Sequence, residues 1–289
     1  MTQDKKIALL IDAENISRNY RKTIMNELAK YGTTTYRRIY GDFTSGKISW
    51  TSEDMLKYSL TPVQQYSNTS QKNKNAGKNS SDITLVIDAM DILYSGNVEG
   101  FCIVSSDSDF TKLASRLREA GMLVIGMGEE KTPLAFRKSC EKFIILDLLN
   151  KEEKDKDSKD KKAEKKTAKK TEKAQEKEDK KSKDKSLGKE KKEDETKEEA
   201  KDENTTVMSW QDIASVIKNE ILPELADEDG WASLADIGNR LYKLYSDFDS
   251  RNYGFAKLSE LFKSKKDFEI KTAKLNPDSN IVYYLIKTK

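Results

Sequence analysis

Residues 7–12 have the sequence Ile-Ala-Leu-Leu-Ile-Asp, in which five apolar residues in succession precede a carboxylate. A short run that is apolar at every position, rather than at alternate positions, is typical of a strand buried on both faces. Such strands belong to parallel sheets that are covered by helices on both sides. The stretch therefore predicts a strand of a parallel sheet, with Asp12 at its carboxyl end.

The remainder of residues 1–150 alternates between strand and helix patterns. Further strands are predicted at 33–40, 62–66, 101–104, 123–125 and 143–146, and helices at 17–31, 52–60, 83–94, 110–120 and 133–140. Regular alternation of this kind predicts an α/β fold, a three-layer α/β/α sandwich with a mainly parallel sheet. In such sheets, functional sites collect beyond the carboxyl ends of the strands.

The composition changes abruptly after residue 150. Residues 151–203 contain 21 Lys and 19 Asp or Glu, and Leu187 is the only large aliphatic residue among them. A segment with so few apolar side chains cannot bury enough surface to offset its ordering entropy. We therefore predict a domain at 1–150, a charged disordered linker at 151–204 that acts as a flexible tether, and a second domain at 205–289.

Apolar periodicity returns in the second domain. Helices are predicted over 213–222, 234–244 and 255–262, and a two-stranded hairpin over 268–285 with its turn at Asn276-Pro277-Asp278. Three helices followed by a hairpin make up the winged-helix plan. We therefore predict a small α+β winged-helix domain at the C-terminus.

The composition excludes several kinds of chemistry and of location. The chain has no histidine, which removes histidine-based acid–base catalysis and metal ligation. Cys102 and Cys140 are too few for a disulfide framework, and we expect both to be buried packing residues. Residues 1–6 do not have the pattern of a signal peptide, and no apolar run approaches the roughly 18–20 residues of a membrane span. We expect a soluble, cytoplasmic protein with no membrane partner.

Net charge does not identify a partner. Residues 1–150 hold 20 basic and 18 acidic residues, and residues 204–289 hold 12 basic and 13 acidic residues. Because neither part is strongly basic, nucleic-acid binding would have to use local patches.

Carboxylates occur where the predicted strands end. Asp12 ends the first strand, Asp107 and Asp109 follow the strand at 101–104, and Asp82 begins a long helix. The carboxyl ends of parallel strands share one edge of a sheet, so these side chains are predicted to converge in one cleft. Clustered carboxylates repel one another unless a cation neutralises them, and Mg²⁺ or Mn²⁺ is suited to ligation by oxygen alone. We therefore predict that the four acids are both catalytic and metal-binding, with Asn15 and Ser105 supporting them.

Each of these residues also has a structural interpretation. Asp82 and Asp109 stand where helices begin and could be N-caps, while Asp107 could brace a turn. Asn15 either orients a ligand or caps a helix. Asp88, inside a predicted helix among apolar neighbours, is better interpreted as a buried or paired structural acid. Their joint position at matching strand ends favours the functional interpretation for the four predicted ligands.

Three motifs in the first domain resemble the NYN domain. They are Ile-Asp-Ala-Glu-Asn at 11–15, Ser-Asp-Ile at 81–83 followed by Ile-Asp-Ala-Met-Asp at 87–91, and Ser-Ser-Asp-Ser-Asp-Phe at 105–110 with a later glycine. The resemblance spans nearly all of residues 5–149 and is strongest to the LabA-like (DUF88) branch, relatives of PIN nucleases. It implies a PIN-like fold and Mg²⁺- or Mn²⁺-dependent RNA cleavage. The family's acidic positions then correspond to Asp12, Asp82, Asp107 and Asp109.

The loop before Asp82 is long and rich in lysine, which departs from the family pattern. Lys74 and Lys78 are predicted to hold RNA phosphates beside the acids, as Lys72 could also do. The alternative interpretation is a solvated polar loop.

Two stretches of the C-terminal domain resemble the OST-HTH (LOTUS) domain. They are residues 229–238, Asp-Gly-Trp-Ala-Ser-Leu-Ala-Asp-Ile-Gly, and residues 248–258, Phe-Asp-Ser-Arg-Asn-Tyr-Gly-Phe-Ala-Lys-Leu. The resemblance implies binding of RNA and, in some members, of proteins. Basic and aromatic residues of the third helix and wing could contact phosphates and bases; these are Arg251, Tyr253, Lys257, Lys263, Lys265 and Lys266. Trp231 and Phe255 are more simply interpreted as core residues.

These features predict a metal-dependent ribonuclease, in particular an RNA endonuclease, whose substrate is captured by the tethered C-terminal domain. The linker would raise the local concentration of RNA without fixing the geometry. Two alternatives remain open, a non-catalytic RNA-binding regulator and an adaptor whose C-terminal domain binds a protein partner. Retention of all four acids favours the nuclease, while the near-neutral charge of the C-terminal domain keeps the adaptor open.

Overall fold

The structure, a computed structural model, describes residues 4–66, 80–150, 208–274 and 282–289. Its described residues before position 151 are called the N-terminal domain here, and those from Met208 onwards the C-terminal domain. Both belong to one compact unit.

The N-terminal domain contains a six-stranded sheet in which every pairing is parallel. The strand order is β3-β2-β1-β4-β5-β6. The strands are β1 (Lys6–Asp12), β2 (Thr33–Gly41), β3 (Thr61–Gln64), β4 (Gly100–Val104), β5 (Leu123–Gly128) and β6 (Lys142–Ile145). The predicted parallel sheet and all six predicted strands are confirmed.

Helices cover both faces of this sheet. They are α1 (Arg21–Leu28), α2 (Ser52–Tyr58), α3 (Ser80–Ser95), α4 (Thr111–Glu119), α5 (Leu134–Ser139) and α6, which begins at residue 146 and is described to residue 150. Ala8 and Leu10 of β1 pack into a core with α3, α4 and α5. Ile7 and Leu9 pack into a second core with α1 and α6. The apolar run of β1 has no polar face because each of its faces contacts a core.

The order of the strands reverses beside β1. The chain builds β1, β2 and β3 towards one edge of the sheet and then returns along α3 to form β4 on the other side of β1. In open parallel sheets, ligands bind beyond the carboxyl ends of the strands at such a reversal point. This topology places the ends of β1 and β4, and the first turn of α3, at the position where a site is expected.

The first predicted helix, 17–31, is longer than the helix observed. Residues Arg18–Tyr20 form a 3-10 turn capped by Ser17, and α1 proper ends at Leu28. At Gly32, a Cβ atom would lie 2.1 Å from the carbonyl oxygen of Lys5, so the close approach of β2 to β1 requires glycine.

The C-terminal domain combines helices with a small antiparallel sheet. A continuous helical stretch comprises α7 (Trp210–Val216), a π-helical segment (Ile217–Ile221) and α8 (Leu222–Leu225), and is followed by α9 (Leu234–Leu244) and α10 (Leu258–Ser264). The sheet has the order β7-β9-β8, with β7 (Ala232–Ser233), β8 (Phe268–Lys274) and β9 (Val282–Thr288). The predicted hairpin is confirmed, while its turn at Asn276-Pro277-Asp278 lies outside the described residues.

Two helix boundaries in this domain differ from the prediction. The first helical stretch continues past Pro223, because a π-helical segment directly before it accommodates a residue that has no N–H to donate. The third helix begins at Leu258 rather than Phe255. A 3-10 turn, Ser250–Tyr253, precedes it and is ended by Gly254 with φ +81°, which interrupts the helical path.

Two further expectations are tested directly. Cys102 and Cys140 are both free and buried, as predicted for packing residues. Within the ranges that the structure describes, none of the helices has the length and apolar character needed to span a bilayer.

Candidate acidic site

Asp12 lies at the carboxyl end of β1 and is only 1% exposed. Its Oδ1 accepts hydrogen bonds from the amides of Glu14 and Asn15, at 3.1 and 3.2 Å. Its Oδ2 accepts from the Asn15 side-chain amide and from the Ser105 hydroxyl, each at 2.7 Å. Burial raises the pKa of Asp12, whereas these hydrogen bonds lower it. The structure therefore brings Asn15 and Ser105 to this carboxylate and holds it in one orientation.

Ser105 also connects Asp12 to the turn after β4. The same hydroxyl that donates to Asp12 accepts a hydrogen bond from the Asp107 amide at 3.1 Å. Asp107 Oδ1 in turn accepts from the Asp109 amide at 2.9 Å and caps a 3-10 turn, Ser108–Phe110. The turn-bracing role considered for Asp107 is thus present, and the turn holds Asp107 and Asp109 beside the end of β1.

Asp82 stands in the first turn of α3. Burial raises its pKa to about 7, and the negative charges of four other acids contribute to the increase. These acids are Asp12, Asp107, Glu14 and Asp109. Acids from two other parts of the chain, residues 12–14 and 107–109, therefore lie within electrostatic reach of Asp82.

An open groove of about 270 Å³ runs beside Asp82 and Asp109. Its remaining lining is apolar, from Ile83, Val86 and Ile87 of α3 and Phe110. Ile83 and Ile87 are 60% and 55% exposed, which is unusual for large aliphatic residues of a core-covering helix. The groove thus offers an acidic end next to an apolar wall.

The donor chemistry of these residues fits a hard divalent cation, since the side chains supply only oxygen and repel one another without one. In the described residues, none of the ion pairs involves Asp12, Asp82, Asp107 or Asp109. Within those same ranges, however, no three Asp, Glu or Cys side chains are grouped closely enough to hold an ion. Binding a cation here would therefore require the carboxylates to move closer together.

Two acids at this edge were missed in the sequence. Glu14 contributes to the electrostatic field at Asp82, and its Oε1 accepts a hydrogen bond from the Asp42 amide at 3.3 Å. Asp42 directly follows β2, and its Oδ1 accepts from the hydroxyl of Thr44 and the side-chain amide of Gln64. Asp42 could have been found from the signal that was used for Asp12, an acidic residue at the end of a strand.

Asp88 is a paired structural acid, as expected. Its Oδ2 forms an ion pair with Arg38 at 2.6 Å and accepts a hydrogen bond from the Tyr40 hydroxyl at 2.9 Å. These contacts connect α3 to β2, so Asp88 helps to hold the helix whose first turn carries Asp82.

The residues that were predicted to contact RNA differ in their surroundings in the structure. Lys74 and Lys78 lie outside the described residues, and so does Lys72. Lys257 is exposed at the N-cap of α10, where it is open to a ligand. Arg251, by contrast, binds two carboxylates through its guanidinium group.

Tyr253 was predicted to contact RNA, whereas Phe255 and Trp231 were predicted to be core residues. The Tyr253 hydroxyl donates to the Met208 carbonyl at 2.7 Å, and its ring contacts Trp210. Phe255 packs against the domain core, as expected. The core assignment was wrong for Trp231, which lies outside that cluster and instead has the Lys271 ammonium 3.8 Å from its ring centroid. Its neighbours are cationic side chains of the hairpin, Lys271 in β8 and Lys287 in β9. The local sequence pattern did not indicate these contacts.

Comparison with known proteins identifies both domains. The family model for the NYN domain matches residues 6–147, and the model for the OST-HTH/LOTUS domain matches residues 211–279. No curated protein matches the chain. A solved structure of a protein of unknown function from Vibrio parahaemolyticus is 15% identical to this chain, covers 50% of this chain and 94% of its own, and has a TM-score of 0.40. The LabA-like branch remains a prediction. The chain therefore carries an NYN domain, of the PIN-like nuclease superfamily, followed by an OST-HTH/LOTUS domain.

Proposed function

We propose that this chain is a metal-dependent ribonuclease that cleaves RNA endonucleolytically at the acidic site, and that its C-terminal domain captures the RNA. The two domains support a nuclease or RNA-binding role. The observation that carries the finer proposal is the electrostatic convergence of four acids on Asp82 at the point where the strand order reverses. A structural cluster would normally include Lys or Arg partners, as Asp88 does with Arg38.

The residues of the site have separable roles in this proposal. Asp12, whose orientation is set by Ser105 and Asn15, and Asp107 would be cation ligands together with Asp82 and Asp109. When bound, Mg²⁺ or Mn²⁺ would supply an activated water and neutralise charge on the phosphodiester. The apolar wall formed by Ile83 and its neighbours on α3 would pack against the RNA beside the acids.

RNA binding would use residues outside the acidic site. Lys74 and Lys78 precede α3 in the chain, and we propose that they bind phosphates next to Asp82. In the C-terminal domain we propose Lys257, which is exposed. Arg251 and Tyr253 are already held by contacts within the protein, so they are weaker candidates.

A second candidate function is that of a non-catalytic RNA-binding regulator. It is favoured by one observation, that no three acids within the described residues stand close enough to ligate an ion. Both candidates predict RNA binding, and only the first predicts metal-dependent cleavage.

The test is RNA cleavage by the full chain with Mn²⁺ or Mg²⁺, comparing the wild type with Asp12→Asn and Asp107→Asn. We expect each variant to lose about a hundredfold or more of the cleavage rate, because charge stabilisation by a bound cation is worth several kcal/mol. Asp91→Asn is the matched control, since Asp91 is an exposed acid of α3. Equal cleavage by the wild type and Asp12→Asn would contradict catalysis at the acidic site, and RNA binding without cleavage by the wild type would support the regulator.

Capture by the C-terminal domain is tested separately by RNA affinity. Lys257→Glu should weaken binding, with a smaller dependence on salt, because one phosphate contact is lost. An unchanged affinity, also after deletion of residues 204–289, would support the protein adaptor instead.

A further inference from the structure

Residues 246–251 of the C-terminal domain, named here the docking segment, form hydrogen bonds with the N-terminal domain. The Phe143 amide donates to the Ser246 carbonyl at 2.8 Å, and the Ser246 hydroxyl donates to the Arg137 carbonyl at 2.8 Å. Phe143 belongs to β6, the edge strand of the parallel sheet. An edge strand has backbone groups without a partner strand, and the docking segment satisfies one of them.

A lysine of the same strand also contacts the docking segment. The Lys142 ammonium donates to the Phe248 carbonyl at 2.8 Å and lies 4.4 Å from the ring centroid of Tyr242. Burial lowers the pKa of Lys142, and the charges of Asp249 and Asp247 counteract this. Residues of the C-terminal domain therefore cover part of this lysine.

Arg251 forms the main ionic contact between the domains. Its Nη1 and Nη2 donate to Oε1 and Oε2 of Glu27, at 2.8 and 3.1 Å, in a bidentate arrangement. The Arg251 and Glu27 side chains are only 18% and 8% exposed. Although burial raises the pKa of Glu27, its hydrogen bonds with Arg251 and Lys30 lower it below the usual value. The geometry and the burial distinguish this pair from a loose surface ion pair.

The conformation of the docking segment is set within its own domain. Asp249 caps the 3-10 turn by accepting from the Arg251 amide at 2.9 Å, and it also accepts from the Arg251 guanidinium. Phe248 is 2% exposed in the core of the C-terminal domain. Arg251 is therefore oriented before it meets Glu27, which reduces the entropy lost on docking.

The contact lies where the strands of the parallel sheet begin, which is called the amino edge here. The acids lie where the strands end, at the carboxyl edge. Lys142 begins β6, and Glu27 lies at the end of α1, which leads into the amino end of β2. Asp12 lies at the carboxyl end of β1, whose seven residues span roughly 20 Å at about 3.3 Å per residue.

We propose that the docking segment fixes the C-terminal domain to the amino edge of the parallel sheet, with Arg251 as its central residue, so that the two domains act as one rigid unit. This inference goes beyond the proposed function and does not depend on it. A linker alone would leave the relative geometry unfixed, whereas the hydrogen bonds and the ion pair determine it.

The test is hydrogen–deuterium exchange on the full chain, comparing the wild type with Glu27→Lys. We expect the amides of Phe143 and of the docking segment to exchange at least about tenfold faster in the variant, because like charges then face each other. Glu224→Lys is the matched control, since it reverses an exposed ion pair with Arg240 inside one domain.

The exchange of β1 and β4 amides reports whether a variant is folded. If Glu27→Lys accelerates exchange there as well, Arg251→Gln repeats the test from the other domain, with the same acceleration at Phe143 expected. The proposal is overturned if Phe143 and the docking segment exchange as fast in the folded wild type as in the variants.

Discussion

The two edges of the parallel sheet both carry buried or half-buried carboxylates, yet their electrostatics are opposite. At the carboxyl edge, burial and the neighbouring acids raise the pKa of Asp82 to about 7. At the amino edge, Glu27 and Asp249 are also desolvated, but their contacts with Arg251 lower the pKa of both. The two edges differ in the source of the neutralising cation. At the amino edge the protein supplies Arg251, whereas at the carboxyl edge we propose a metal ion from solution.

This contrast shows how a structural acid and a candidate ligand can be distinguished. A structural carboxylate is neutralised by a positioned Lys or Arg, whereas a ligand retains a lone pair for a partner from outside. Substitutions at the two edges, and at an exposed ion pair away from both, should therefore differ in their effects.

The largest effect on stability is expected at the amino edge. Arg251→Gln removes the cation that Glu27 and Asp249 share in a mostly buried position, which should lower the free energy of unfolding by about 3 kcal/mol. Urea unfolding of the full chain measures it. A loss equal to that of an exposed pair would mean that solvent screens the contact.

A smaller effect is expected from Ser105→Ala at the carboxyl edge. The variant removes the hydroxyl that donates to Asp12 and accepts from the Asp107 amide, at a cost of about 2 kcal/mol for the unsatisfied groups. The free energy of unfolding, measured with urea, should fall. The rate of RNA cleavage should fall as well, since Asp12 loses its fixed orientation. Full activity would show that Asn15 alone orients Asp12.

The free energy of unfolding should depend on pH because the pKa of Asp82 is raised in the folded state. Because its folded pKa of about 7 exceeds the ordinary value of 3.8, the folded state holds a proton that the unfolded state has released between these values. Its contribution to stability is therefore greatest below about pH 4 and is lost as the pH rises through 7.

Asp82→Asn should accordingly stabilise the metal-free protein at pH 8 by about 1 kcal/mol, after allowance for solvent screening, and have little effect at pH 4. Chemical unfolding in a chelator at the two pH values measures this. The Asp91→Asn variant serves as the comparison. A stabilisation that does not change with pH would contradict the raised pKa.

The smallest effect is expected for Arg240→Gln. Arg240 pairs with Glu224, but the two side chains are 46% and 60% exposed. The free energy of unfolding should fall by less than about 0.5 kcal/mol, and the docking segment should remain protected from exchange. A loss comparable to that of Arg251→Gln would remove the distinction between the two arginines.

Local sequence was sufficient for the elements and for the position of the acids. The uninterrupted apolar run of β1 predicted a strand between two cores, because strand residues alternate between the faces of a sheet. Asp12, Asp107 and Asp109 then followed at strand ends, and parallel topology placed them on one edge. Asp42 was accessible by the same reasoning and was overlooked.

The partners of Arg251 were not accessible in this way. A basic residue beside aromatic ones is compatible with RNA contact, and Asp249 is only two positions away, but Glu27 is 224 positions distant along the chain. A pairing over that separation depends on how two domains pack, and no local periodicity encodes it.

By itself, then, the sequence determined the alternating strands and helices, the edge at which the acids collect and the two families represented, since these follow from short-range patterns of polarity. Only the tertiary structure decided which carboxylates receive a cation from the protein, because the charge that stabilises a buried acid comes from whichever side chain the fold brings beside it.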